Sequence, residues 1–523
     1  MVTIKRALIS VYDKTGIVDF GRGLNDLGIE MISSGGTARA LKEADIPVRL
    51  VSDYTGFPEI LNGRVKTLHP KIHAGILARR EDEGHMSQLT EQDIGPIDMV
   101  VVNLYPFEAW AQKKDASRRD VVEMIDIGGP SMIRAAAKNY PSVAVVTDAR
   151  KYNDIIEELR NNKGSLSEET CRALAGEAFR QTAHYDAAIA GYFAARPDED
   201  LFPLFLEERF EKVGDLRYGE NPHQRAAVYR NLSVESVPFI GAQQLWGKEL
   251  SFNNYLDMNA AVELVGEFDR PAAVILKHTN PCGAALGTSL AEAYEKAYAG
   301  DPLSAFGSIV GFNRSVDVGT AEKMAVPNTF LEVIVAPGYE EGAIALLTEK
   351  RWWGKTVRIL TYDSAGARRA NETVSKQILG GLLVQSKDSV LFDESALRVV
   401  TERTPTEAEM EALRFAWTVV KHVKSNAILL AQGDMVVGVG AGQMSRVDSS
   451  MIAVRKAGER AQGAVLASDA FFPFRDAIDV AAEAGVTAAI QPGGSKGDDK
   501  VIEAANDHDL AMVFTGMRHF RHL

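Results

Sequence analysis

The chain has 523 residues, 46% of them hydrophobic, enough for three to four domain-sized units with sizeable cores. Its 58 Lys and Arg against 71 Asp and Glu give a net charge of −13 with no long basic stretch to offset it, so nucleic-acid binding is not expected, while small anions need only a local pocket. No run of about eighteen apolar residues occurs, the first residues lead directly into a strand, and Cys171 and Cys282 lie far apart, which excludes a membrane span, a disulfide framework and a Cys-rich metal site and points to a reducing, cytoplasmic location.

Leu8–Val11 reads as a strand, Ile17–Leu27 as an amphipathic helix stopped by Gly28, and Glu30–Ser33 as the next strand. Further strands are predicted at Ile97–Asn103 and Val143–Val146, giving an α/β unit with a mainly parallel sheet. Residues 167–193 are apolar at helical spacing, and Ala194-Ala195-Arg196-Pro197-Asp198-Glu199-Asp200 then breaks the pattern with proline and charge. That run sets a domain boundary between 1–197 and 198–523. Strands follow at Ala272–Leu276, Ser308–Phe312, Leu331–Val335, Ala427–Ala431, Val436–Val439, Ala464–Ala467, Ala488–Gln491 and Met512–Thr515, with helical stretches such as Thr406–Val423 between them. Parallel and antiparallel pairing are not distinguishable from this pattern, and no short-period repeat is visible.

Ser33-Ser34-Gly35-Gly36-Thr37 follows a strand and opens a helix. Glycines let a backbone approach closely, and a helix N-terminus offers unpaired N–H donors to a phosphate. Alone, such a turn reads equally well as a simple helix cap. Arg64-Val65-Lys66-Thr67 adds two cations and a hydroxyl, a combination suited to a phosphomonoester. Asn103-Leu104-Tyr105-Pro106-Phe107 lies at a strand end, and Asp126-Ile127-Gly128-Gly129-Pro130 precedes a helix carrying Lys138. By residue type alone, Asp126 reads as a cap, Tyr105 as a core residue with one wet end, and Lys138 as a solvated helix position.

Ala272–Leu276 reads as a buried strand, so Lys277 and His278 emerge at its end, where open α/β sheets place ligand chemistry, followed by an expected Asn280-Pro281-Cys282-Gly283 turn. Upstream, Arg217-Tyr218-Gly219-Glu220-Asn221-Pro222-His223-Gln224 gathers polar and ionisable side chains on another turn signal. Together they favour a functional site over a surface strand end. Ser425-Asn426 stands at a helix-to-strand junction, where an asparagine is ordinarily a turn former.

These segments belong to a longer series: SVYDKTG, SSGGT, GRVKTLHPKIHAGIL, NLYPF, IDIGG and RAAAKNYP, then RYGENPHQ, LSFNNYLD, KHTNPCG, DPLSAFG, FLEVIVAP, GVGAGQMSR, SDAFFPFRD and QPGGS. In this order the chain resembles, over nearly its whole length, the bifunctional family that joins aminoimidazole carboxamide ribonucleotide (AICAR) transformylase to inosine monophosphate (IMP) cyclohydrolase. The resemblance implies a methylglyoxal-synthase-like parallel-sheet domain over 1–197 and two deaminase-like α/β subdomains over 198–523. It implies AICAR, its formamido derivative FAICAR and IMP as ligands, 10-formyltetrahydrofolate as co-substrate, no metal, and a homodimer.

Residue by residue, the resemblance gives phosphate binding to Ser34, Gly35, Gly36, Thr37, Arg64 and Thr67, with Lys14 nearby and Asn103 and Gly128 as further nucleotide contacts. It gives ring closure to Lys66, Tyr105, Asp126 and Lys138. That step needs an oxyanion stabiliser and proton transfer to and from poor groups. Formyl transfer needs a base for a weakly nucleophilic aromatic amine, and His278 is the candidate, with Lys277 and Asn426 toward the formyl oxygen. Arg217, Tyr218 and Arg518 match ribonucleotide-holding positions; Phe306, Gly307, Phe471 and Phe474 match pocket positions around base and folate; Arg446 matches one contributed across a dimer interface.

Two departures from the family pattern touch loops near this site: Ser308 stands where a second glycine often follows Phe-Gly, and Gly497-Asp498 replaces Arg-Asp after QPGGS. A zinc nucleotide deaminase is disfavoured, since no second cysteine follows Cys282 at the required spacing and no His-x-Glu precedes it. A methylglyoxal-synthase-like lyase and a non-catalytic nucleotide-binding protein are the remaining alternatives.

Overall fold

The computed structural model describes residues 1–113, 115–194, 201–232, 240, 243–364 and 373–522. Residues 195–200 of the expected linker lie outside them. The chain divides into two compact units, Met1–Asp200 and Leu201–Leu523. No helix among the described residues is long and apolar enough to cross a membrane.

In the first unit, strands β1 (Arg6–Ser10), β2 (Glu30–Ser33), β3 (Arg49–Leu50), β4 (Met99–Val102) and β5 (Ala144–Val146) form a sheet in the order β3-β2-β1-β4-β5, every pair parallel. Its central strands are buried on both faces, which is why Ala7-Leu8-Ile9 and Met99–Val102 read as continuous apolar runs instead of alternating ones. Helices α1 (Ile17–Asp26), α2 (Gly35–Glu43), α3 (Gly128–Lys138) and α4 (Glu168–Ala194) belong to this unit. Because the strands are parallel, the segments after β1, β2, β3 and β4 leave the same edge of the sheet, and the phosphate-type and strand-end motifs lie on these segments.

The second unit holds a twelve-stranded mixed sheet. After helix α5 (Phe252–Val265) come β6 (Ala272–Lys277), β7 (Asn280–Leu286), α6 (Leu290–Gly300), β8 (Ser308–Phe312), β9 (Leu331–Ala336) and β10 (Arg358–Thr361). After α7 (Glu407–Val420) the same series returns as β11 (Ile428–Gln432), β12 (Met435–Gly440), α8 (Arg446–Ala457), β13 (Val465–Ser468), β14 (Ala488–Gln491) and β15 (Ala511–Phe514). The central order is β10-β9-β8-β6-β7-β12-β11-β13-β14-β15, and the two halves join through an antiparallel β7–β12 bridge, Ala285 opposite Met435.

The halves match in detail. α5 and α7 both begin with a capping box, on Ser251 and Thr406. The hairpins β6–β7 and β11–β12 shift register at the same place, between Ile275 and Leu276 and between Leu430 and Ala431. A Cβ on Gly283 would lie 2.1 Å from Ala297 O and one on Gly438 2.2 Å from Ala453 O, so in both halves glycine lets the following helix press onto the strand. α5 and α7 contribute to one core with the sheet face they cover, while α6 and α8 contribute to separate cores.

Two expectations need correction. Asn280-Pro281-Cys282-Gly283 is not a turn but the start of β7; the reversal lies one step earlier, at His278-Thr279. Two hairpins absent from the predicted strands also occur, Phe210–Leu216 with Ala226–Asn231 and Thr373–Ile378 with Gly381–Ser386, each a separate two-stranded sheet.

Candidate functional site

In the first unit, a cavity of about 530 Å³ is lined by Lys14, Ser34, Gly36, Thr37, Arg64, Lys66, Thr67, Asn103, Tyr105, Asp126 and Gly128. Gly35 faces an adjoining recess with Ser34 and Lys66. Ser34 is the N-cap of α2 but its side chain does not cap the helix; its buried Oγ has no partner among the described residues. Gly35, at φ +54°, turns the backbone into the helix through the left-handed region that glycine tolerates. Lys66 Nζ stands 3.5 Å from where a Cβ on Gly35 would be, and Lys14 Nζ 3.8 Å from one on Gly36. Two ammonium groups, a free hydroxyl and a helix N-terminus therefore converge, the arrangement an anionic phosphate requires. Burial, then the Lys66 ammonium, hold Lys14 below its usual value.

Other predicted residues shape this cavity. Thr37 Oγ1 donates to Val11 O at 2.9 Å and accepts from Val11 N at 3.1 Å, tying α2 to the end of β1. Asn103 Oδ1 accepts from Tyr12 N at 2.5 Å and Asp13 N at 3.1 Å, fixing the loop that carries Lys14. Arg64 pairs with Glu123. Thr67 Oγ1 lies 2.7 Å from where a Cβ on Gly128 would be, so the missing side chain lets the start of α3 approach.

Across the cavity, Asp126 Oδ1 accepts from Gly129 N at 2.8 Å. Burial raises its carboxyl above the ordinary carboxylate value, against the opposing pull of that N–H and of Lys66. Tyr105 is raised too, first by burial and then by the Asp126 charge. Two residues that sequence reading missed support the pair. Tyr185 on α4, pushed up to about 12 by burial, accepts from Asp126 N at 2.8 Å and donates to Met124 O at 2.8 Å. Glu59 lines the cavity and adds to the field on Tyr105. Lys138 is not with them. It ends α3, ten residues and about 15 Å beyond Gly128, and lines a different cavity with His73, Tyr140 and Phe179.

In the second unit, His278 and Thr279 line a cavity of about 800 Å³ with Gly219, Asn221, Asn253, Asp257, Lys424 and Arg521. Arg217 and Tyr218 immediately precede Gly219, the guanidinium 5.3 Å from the Tyr218 ring centre. Lys277 diverges from His278: its Nζ donates to Phe306 O at 2.7 Å and Gly307 O at 3.3 Å. Phe306 is half exposed, its ring edge-on to Phe330.

Asn426 Nδ2 donates to Gln443 O at 2.9 Å, and its Oδ1 accepts from Arg446 at 2.8 Å. Arg446, expected at a dimer interface, is also paired within its own chain. Its buried guanidinium also donates to Asp469 at 2.6 Å and to Ser468 Oγ at 2.8 Å in its own chain. Phe471, Phe474 and Arg518 lie on exposed loops after β13 and β15 and do not line the His278 cavity, and Arg518 stacks 4.5 Å from the Phe520 ring centre. Burial pushes the Cys282 thiol up to about 12, leaving it inert. Ser308 is fully buried, its Oγ without a partner among the described residues; Asp498 accepts from Gly494 N at 2.7 Å and braces the QPGGS loop.

Asp257, Lys424 and Arg521 were not singled out in the sequence. For Asp257 a signal existed: an acidic residue between Leu256 and Met258, in a helix stretch where Met258, Ala260 and Ala261 are buried. Arg521 belongs to the tail, donating to Glu263 at 3.1 Å while its carbonyl accepts from Ser425 N at 3.2 Å.

An α/β chain with an anion-binding cavity in a parallel-sheet unit and a second cavity at a hairpin of a duplicated unit has the make-up of a two-site enzyme acting on phosphorylated small molecules. Residues 16–131 match the family model of the MGS-like domain, and residues 136–456 that of the AICARFT/IMPCHase bienzyme. The chain is 52% identical over 518 residues to the bifunctional purine biosynthesis protein PurH of Halalkalibacterium halodurans, covering 99% of this chain and 100% of that one. PurH of Acetivibrio thermocellus is 51% identical over 520 residues (99% and 100%), and PurH of Rhodopirellula baltica 50% over 523 (100% and 99%). A solved structure described as the crystal structure of ForH is 36% identical over 36% of this chain and 100% of its own, with a TM-score of 0.33. The chain belongs to the AICARFT/IMPCHase bienzyme family.

Proposed function

We propose that this chain performs both reactions its family is named for, with formyl transfer in the second unit and ring closure in the first. 10-Formyltetrahydrofolate is the formyl donor. The observation that carries the reading is the first cavity, where a cationic helix N-terminus faces a half-buried acid–phenol pair across a space sized for a mononucleotide.

At ring closure, Lys14, Lys66, Ser34 and the start of α2 hold the phosphate of FAICAR. The carboxamide nitrogen attacks the formyl carbon, a C–N bond forms, and the formyl oxygen leaves as water. Asp126 and Tyr105, both raised by burial, exchange the protons this requires, and a cation stabilises the oxygen as negative charge develops. In formyl transfer, His278 takes the proton of the AICAR amine as its nitrogen attacks the formyl carbon. The bond from that carbon to the folate nitrogen breaks, and the nitrogen leaves protonated. Lys277, with Phe306 and Gly307, forms the adjoining face.

A homodimer fits the surface of the second unit. The Thr373–Ser386 hairpin pairs with no other strand among the described residues, yet exposes Val374, Ile378, Leu379, Leu382 and Leu383. An isolated hairpin is marginal in water, and an apolar one is suited to cover by a second copy. The setting is cytoplasmic. Incubation with AICAR and 10-formyltetrahydrofolate, followed by mass spectrometry of the nucleotides, tests the function: IMP is expected, and recovery of AICAR alone refutes it.

A further inference from the structure

We infer that Asp257 is the positioning residue of the formyl-transfer site: it holds the turn that presents His278 and supplies the negative charge against which the imidazole gains its proton. This rests on the reading of His278 as the base of that reaction.

The turn is strained. His278 and Thr279 have φ of 53° and 62°, the left-handed region that non-glycine residues enter only where their surroundings hold them there. Asp257 Oδ1 accepts from Thr279 N at 2.6 Å, and the aspartate is only 7% exposed. Thr279 Oγ1 and Asn280 Nδ2 donate to His278 O at 2.7 and 3.1 Å, while Asn280 Oδ1 accepts from Lys424 N at 3.0 Å. Of these ties, only Asp257 brings a buried carboxylate; burial raises it above its ordinary value, against the pull of the Thr279 N–H and of the His278, Lys424 and Lys277 charges.

The duplicated half provides an internal control. Its corresponding turn is Gly433-Asp434, between Gln432 and Met435, where the left-handed residue is a glycine at φ 54°. The helix position corresponding to Asp257, counted from the shared capping box, is Ala412. Where the chain does not present an imidazole, it uses glycine for the left-handed residue and places no carboxylate at the matching helix position. The strained histidine turn and the buried aspartate on the preceding helix occur together in one half, and the other half has neither at the corresponding positions.

The charge balance favours the same role. Lys424, Arg521 and Arg225 line the cavity and disfavour an imidazolium, as does Lys277 at the adjoining position; Glu220, the other lining carboxylate, is exposed. Asp257 therefore opposes a cationic surround as His278 takes up the amine proton.

The test measures kcat, KM and the pH profile of formyl transfer for the full chain and for Asp257→Asn, Asp257→Ala and His278→Ala. Asp257→Asn keeps an acceptor oxygen for Thr279 but loses the charge. We expect KM for AICAR within about threefold of wild type, kcat lower by roughly 10- to 100-fold, and the acid limb of kcat/KM moved to lower pH, because the Asp257 charge no longer favours the proton's uptake. Asp257→Ala, losing the turn as well, falls further; if it does not fold, Asp257→Asn decides alone. A merely structural aspartate would leave the limb in place. An Asp257→Asn enzyme with wild-type kcat and an unmoved limb, beside an inactive His278→Ala, overturns the inference and spares the base. An active His278→Ala overturns both.

Discussion

Lys14→Met isolates one half of the clamp over Gly35 and Gly36. Lys14 Nζ donates to Val11 O and, at 2.8 Å, to Tyr12 O, and with Lys66 it brackets the start of α2. The two ammonium groups repel each other, which helps to hold Lys14 below its usual value, and a phosphate relieves that repulsion. One charge-assisted hydrogen bond is worth about 1.5–3 kcal/mol, or roughly 10- to 140-fold in affinity. Lys14 keeps solvent access, so the lower part of that range applies, about 10- to 30-fold. Because the phosphate does not react, the loss should appear in KM for FAICAR with kcat nearly unchanged. The salt dependence of KM should become shallower. Removing a destabilised cation should also leave the ligand-free melting temperature unchanged or higher. The folded-state value of Lys14 lies below the unfolded one, so wild-type stability rises with pH through that window, and the variant should lack that rise. Steady-state ring closure of supplied FAICAR at low and high salt measures the effect. A wild-type KM, or a fall confined to kcat, would refute the phosphate-clamp reasoning.

Asp126→Asn should lower ring-closure kcat by about two to four orders of magnitude. It should also erase an acid limb that, with the wild-type carboxyl raised by burial, lies above the ordinary carboxylate range; a pH–rate profile in which that limb persists would assign it elsewhere. Arg446→Met strands Asp469, which is 0% exposed, and should cost about 3–5 kcal/mol of unfolding free energy in urea, partly recovered by adding Asp469→Asn. A loss below about 1 kcal/mol would show that the pair does not hold the site. A fragment of residues 1–200 should fold and close the ring on supplied FAICAR, and a folded but inert fragment would contradict a self-contained first site.

The parallel sheet of the first unit was legible because its strands are buried on both faces and appear as short apolar runs between amphipathic helices. The phosphate end was legible for a related reason: glycines, lysines and a strand-to-helix transition lie close together in the chain. What long-range pairing decides was not. Pro281 and Gly283 read as a turn, yet β7 runs through them, because Gly283 allows the close approach of α6. The duplication is carried by capping boxes, register shifts and glycine contacts, while the residues that differ between halves, His278 against Gly433 and Asp257 against Ala412, are those that hide it. The resemblance also grouped Lys138 with Asp126, but the helix that starts beside Asp126 carries it away, to the far end of α3.

The most direct test of two chemically separate sites on one chain is His278→Ala assayed for both reactions in the same preparation. Formyl transfer from 10-formyltetrahydrofolate to AICAR should fall by about two to four orders of magnitude, the usual worth of a general base, while cyclisation of supplied FAICAR to IMP continues at the wild-type rate. If a folded His278→Ala protein loses both activities together, the assignment of separate sites is wrong; if it loses neither, His278 is not the base.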